Sequence, residues 1–217
     1  MRKTIGKLFL ILMLLVIYAP ILILAVYSFT DSGNIGSIHG FSMQNYVTLF
    51  TKGELRDMIV GTVLLALVSS LLATILGTIG AIGAFYSKKL AKNFINTANQ
   101  IPVVNADVVT GFSICVLLIV AFGMNKESYV PLLIGHVVLS APFVYLSVVP
   151  KLKQMDASLY EAAMDLGASP SMALRKVVIP QIMPGIVSGA LIAFTMSFDD
   201  FVISYFVTGK LYKTGNV

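Results

Sequence analysis

MIVGTVLLALVSSLLATILGTIGAIGAFYS, residues 58–87, is thirty residues long without a Lys, Arg, Asp or Glu. At about 1.5 Å of helix rise per residue, roughly 20 apolar residues cross the ~30 Å of hydrocarbon in a bilayer. This stretch is long enough with several residues to spare. Three others match it: Leu8–Thr30, Ser128–Pro150 and Val177–Phe198. Between them Asn93–Ala106 is uncharged but polar, Asp107 interrupts it, and Val108–Asn125 is apolar again. One further segment is read there, at about 95–122, with a polar first half. The expected architecture is an all-α integral membrane protein, one domain over 1–217. Its five crossings fall at about 8–30, 58–87, 95–122, 128–150 and 183–207, with a polar loop at 151–182.

Composition agrees. Of 217 residues, 57% are hydrophobic and only 12% charged, with mean hydropathy +0.90; soluble domains carry roughly 25% charged residues. Cys115 is the single cysteine, which excludes an intrachain disulfide framework and a cysteine metal cluster. His39 and His136 are far apart, so no metal site is expected, and His136 reads as a buried packing residue. No GxxxxGK[ST] occurs, so the chain has no phosphate-binding loop of its own. No catalytic constellation or cofactor site is apparent.

The net charge of +5 reflects topology rather than nucleic-acid binding. Arg2, Lys3, Lys7, Lys88, Lys89, Lys92, Lys151, Lys153, Arg175 and Lys176 fall on one side of the five crossings, ten of the fifteen basic residues. Basic residues concentrate on the cytoplasmic side, so the N-terminus is expected inside. Residues 1–28 also resemble a signal peptide, but the apolar run exceeds the ~7–15 residues of a signal core and no small-x-small site follows. A retained helix is expected. On the outer side Phe41, Tyr46, Leu49 and Phe50 can share one helical face, as an interfacial helix or as a loop packed on the bundle. Gly77, Gly80 and Gly83, with Ala73, Ala81 and Ala84, read as a close-packing face.

The loop 151–182 divides by local signals. Ser158 followed by Glu161 is a capping box, so a helix is expected to start near Leu159. Gly167 can end it. Ser169 and Pro170 can start a second helix, and Pro180 and Pro184 punctuate the start of the last crossing. A helix of about eight residues is marginal alone and needs a surface. Glu161 and Asp165 share a face, one turn apart. Two readings stand: the helix inserts into a groove on a cytoplasmic partner, or it folds back on its own bundle.

Glu161-Ala162-Ala163, then Gly167, then Val178-Ile179-Pro180 resembles the EAA motif of binding-protein-dependent ABC importer permeases, and the likeness runs over most of the chain. It implies a polytopic bundle of the type I importer permease kind, passive in itself. The family's partners would be ABC ATPase subunits, a homologous second permease and an extracytoplasmic substrate-binding protein, all at a bacterial inner membrane. It also implies that Glu161, Ala162, Ala163, Asp165 and Gly167 form the coupling helix that docks on the ATPase. Such permeases usually have six crossings, so a sixth is expected to be missing here. Ser197-Phe198-Asp199-Asp200-Phe201, running on to Thr208-Gly209, is similar to the spermidine/putrescine branch. Asp107, Asp199 and Asp200 are then candidates for the path of a polycationic substrate, because carboxylates inside a membrane face cavities or partners. They can equally cap helix ends or pair with the sister permease. Iron, an anion or an amino acid as cargo, or a channel or scaffold without ATP drive, are the alternatives.

Overall fold

The structure is a computed structural model that describes residues 2–30, 40–125, 128–156 and 158–207, with side chains from Gly6 onward. Gly33, Gly36, His39, Lys126, the Thr208–Gly209 step and the question of a sixth crossing lie outside the described residues.

The described chain is helical: α1 Arg2–Ser28, α2 Gln44–Thr51, α3 Gly53–Tyr86, α4 Lys89–Val104, α5 Asp107–Cys115, α6 Tyr129–Gln154, α7 Ser158–Asp165, α8 Pro170–Ala173, α9 Ile179–Phe198 and α10 Val202–Val207. Four helical stretches are long and apolar enough to cross a membrane: Gly6–Ser28, Gly53–Tyr86, Tyr129–Gln154 and Pro170–Phe198. The expected segment at 95–122 is two helices, α4 and α5 with its π-helical extension Val116–Ala121, bent by 109° at Asn105–Ala106. Pro102 in the last turn of α4 and Asp107 at the start of α5 account for the break. A proline cannot sustain the hydrogen-bond ladder, and an acidic residue favours a new helix N-terminus.

The chain divides at Asp57 into two units. In the first, α1 buries none of its most apolar window, as suits a helix whose solvent is lipid. Beyond it, Thr30 bridges to Phe41, Phe29 stacks on Phe41 with ring centroids 5.9 Å apart, and the Tyr46 hydroxyl lies 2.9 Å from Ser28 Oγ. Helix α2 forms about where the Phe41–Phe50 pattern predicts, with Phe50 exposed.

In the second unit α6 is the central element. Ala73, Ala81 and Ala84 of α3, Val144, Tyr145, Val148 and Leu152 of α6, and Ile182 and Ala193 of α9 form one buried cluster. Leu65, Ile114, Leu118, Leu132, Leu139, Ile203 and Val207 form a second. The glycine reading needs correction. Gly77, Gly80 and Gly83 do not share a seam, because steps of three drift round a helix of 3.6 residues per turn. Gly77 is buried against α6, but Gly83 is exposed with nothing near it. The buried face of α3 runs through Ala66, Ser70, Ala73, Gly77, Ala81 and Ala84. A matching face on α9, Gly185, Gly189, Ala193 and Ser197, also packs on α6.

Pro180 does not break the chain. Helix α8 passes into α9 through a π-helical stretch, Leu174–Val178, in which Ile179 N–H reaches back to Leu174 O. The wider turn makes room for a ring that would collide with the carbonyl four residues earlier. The loop at 151–182 is therefore mostly helix, and its irregular part is reduced to short turns on either side of α7.

Candidate functional site

Two sites carry the residues singled out in the sequence, at opposite ends of α9.

The first is α7 and its flanks. Helix α7 starts at Ser158, but the hydroxyl of Ser158 is not the acceptor that the capping box requires of it. Ser158 donates instead, through its N–H at 3.0 Å and its hydroxyl at 2.8 Å, both to Asp156 Oδ1. These two bonds favour the ionised carboxylate, so Asp156 is held below the usual carboxylate range, the side-chain bond contributing most. Because the folded form is the better acid, the stabilisation is complete above the ordinary carboxylate range. It is lost as pH falls through the lowered value. The start of α7 is expected to fray in acid, seen as a pH-dependent shift of the Ser158 amide resonance that is absent in Asp156→Ala.

The other end closes as the sequence indicates. Gly167 has φ of +87°. Its N–H donates to Met164 O at 2.9 Å, and Ala168 N–H donates to Ala163 O at 3.0 Å, the bond pair of a Schellman ending. Ser169 Oγ then accepts from Met172 N–H, with Pro170 in the first turn of α8. Helix α7 buries no residue. Glu161, Ala162, Asp165 and Gly167 are exposed, and Ala163 is half-buried. Beside it Ala163, Leu166, Gly167, Met172, Ala173 and Lys176 line an open apolar cleft, with Leu166 90% exposed. Water does not favour such a surface, and a partner of complementary shape would cover it.

The second site is a cleft at the far end of α9. Asp107, Asp199 and Asp200 all line it, with Leu139, Thr195, Met196, Phe201 and Val202. Three carboxylates from two distant parts of the chain thus face one space. Asp107 and Asp199 are exposed and Asp200 is buried. Asp200 Oδ2 accepts the backbone N–H groups of Ile203 at 2.9 Å and Ser204 at 3.2 Å, which caps α10. The capping alternative therefore applies to Asp200. Among the described residues no group of three or more His, Cys, Asp or Glu side chains is arranged to hold a metal ion.

What the sequence did not reveal is how His136 is engaged. It is fully buried, with Nδ1 2.9 Å from Ser197 Oγ and Nε2 3.8 Å from Asp200 Oδ2. Residues 61 and 64 positions apart meet here, and no local signal points to it.

Known proteins resemble this chain over most of its length. Residues 75–215 match the family described as binding-protein-dependent transport system inner membrane component. The spermidine/putrescine transport system permease protein PotC of Escherichia coli K12 is 33% identical over 197 residues, covering 91% of this chain and 74% of that protein. The putrescine transport system permease protein PotI of the same organism is 33% identical over 198 residues, covering 89% and 70%. Among solved structures, one titled as an amino acid ABC transporter with histidines aligns with TM-score 0.56 and 21% identity over 79% of this chain and 78% of that one. At that identity the match speaks for the fold. The chain belongs to the family of binding-protein-dependent transport system inner membrane components, as a permease subunit of the ABC importer type.

Proposed function

We propose that this permease forms half of a polyamine path through a bacterial inner membrane, its N-terminus cytoplasmic. It would pair with a homologous second permease and receive spermidine or putrescine from an extracytoplasmic binding protein. ATP hydrolysis on separate ABC ATPase subunits would drive it through α7. The observation that carries the cargo is the cleft where Asp107, Asp199 and Asp200 meet. A polycation leaving water needs anionic partners spread along its length, and low-dielectric walls strengthen each attraction. The printed names of PotC and PotI support the same class. The observation that carries the coupling is a short exposed helix with both ends fixed and an apolar cleft beside it.

Uptake of labelled spermidine and putrescine by cells with the complete transporter, with and without this subunit, tests the reading. Asp199→Asn and Asp200→Asn each remove a charge, and the amide oxygen in Asp200→Asn can still accept the α10 amides. Each is expected to raise the KM for spermidine by roughly tenfold, about 1.4 kcal/mol. An unchanged KM in both variants would remove these carboxylates from the path.

A further inference from the structure

Behind the acidic cleft four buried polar side chains form one line across the bundle. Ser69 of α3, Ser197 of α9, His136 of α6 and Ser204 of α10 are each no more than 1% exposed. Counting protons gives each bond a direction, since a hydroxyl has one hydrogen and a carbonyl none. Ser69 Oγ lies 2.7 Å from Leu65 O, so the Ser69 proton is committed there. Ser69 Oγ also lies 2.7 Å from Ser197 Oγ and must accept the Ser197 proton. Ser197, its proton used, accepts across 2.9 Å from His136, which puts a hydrogen on Nδ1. In the neutral ring Nε2 is then bare. It accepts the Ser204 hydroxyl at 3.4 Å and faces Asp200 Oδ2 at 3.8 Å.

The ring is therefore locked from the α3 and α9 side and presents its other edge to the first turn of α10, the turn that Asp200 caps. Backbone packing presses the same contact. A Cβ on Gly135 would stand 2.6 Å from Ile203 Cγ2, so α6 and α10 touch beside the histidine. A line of buried polar groups is worth its desolvation only when every member is satisfied, and here the proton count closes from Ser204 to the Leu65 carbonyl.

We propose that His136 is a positioning residue for substrate recognition: held by Ser197 and Ser69 as the Nδ1–H tautomer, it sets where the start of α10 and the Asp200 carboxylate stand in the cleft. The proposal rests on the cleft being the cation path, and its test separates the two. The chain has two histidines, so with ¹⁵N-histidine confined to this subunit of the reconstituted transporter the spectrum is assigned by removing His39. The Nδ1–H tautomer is expected in the native protein, with Ser197→Ala releasing it. A native Nε2–H tautomer overturns the proposal whatever the cargo. In spermidine uptake, His136→Leu is expected to raise KM about tenfold while assembly and Vmax stay within about twofold, and His136→Gln, which restores an amide near Nε2, to recover most of the loss. An unchanged KM in His136→Leu, or a fall in assembly with KM unchanged, also overturns it, since packing alone would then explain the residue. If the native transporter takes up neither polyamine, the cargo reading fails and the tautomer decides the positioning claim.

Discussion

Gly167→Pro is expected to reduce ATP-driven uptake by more than tenfold in a permease that still inserts and folds. The backbone at Gly167 has φ of +87°, and proline is fixed near −65°. Proline also lacks the N–H that reaches Met164 O, and with the turn displaced the Ala168 N–H bond to Ala163 O goes too. Helix α7 has eight residues and none fully buried; apart from Tyr160, which packs on Tyr86 and the first cluster, its two ends hold it. A helix that short does not persist in water without them. The bundle itself buries its clusters elsewhere, so insertion should survive. Graded variants sharpen the result. Gly167→Ala meets no steric neighbour, and its cost is conformational, about 1–2 kcal/mol for a side chain in the left-handed region; Gly167→Asn should cost less. Charge reversal at Glu161 or Asp165 leaves the helix intact and alters only what it presents. Under the docking proposal each reversal lowers co-purification of the ATPase and uncouples hydrolysis from uptake. Normal uptake and normal co-purification in Glu161→Lys, Asp165→Lys and Gly167→Pro together would sink it.

What could be read from the chain divides by the range of the interaction. The charge-free runs predict α1, α3, α6 and α9, because crossing a bilayer is a demand that a single helix meets alone. Gly167 and the Ser169–Pro170 start were legible because a helix end is decided within a few residues. The role of Asp156, two residues upstream, was not legible at the same range: its carboxylate accepts the Ser158 hydroxyl and turns that side chain toward itself. The angle between α4 and α5 was not legible. Pro102 and Asp107 mark a break, but packing against α6 and α10 decides where each half goes. Pro180, expected to punctuate the start of the last crossing, lies in continuous helix because a π turn accommodates it. Of the acidic cleft, the three residues were found but not their meeting. The line from Ser69 to Ser204 could not be seen at all, since Ser69 and Ser197 are 128 positions apart.

The close approach at Val144 predicts the second large effect. A Cβ on Gly77 would lie 2.7 Å from Ala141 O and 2.7 Å from Val144 Cβ; one on Gly189 would lie 2.9 Å from Val144 Cα. Helices α3 and α9 both press on α6 at Val144, and neither contact has room for a methyl group. In lipid, helices gain nothing by hiding from water and associate through packing, so a forced separation is not offset elsewhere. Gly77→Ala and Gly189→Ala are each expected to cost about 1–3 kcal/mol, read as a lowered unfolding temperature of the purified complex, with Gly77→Leu failing to assemble. The obstacle at Gly77 includes a backbone oxygen, so Val144→Ala should not rescue Gly77→Ala. Gly83→Ala is the matched control, on the same helix and with nothing within 4 Å. It should be neutral or stabilising by up to about 1 kcal/mol through helix propensity alone. Equal losses at Gly77 and Gly83 would mean that glycine acts through chain flexibility. A loss confined to Gly77 and Gly189 places the effect in the contact with Val144.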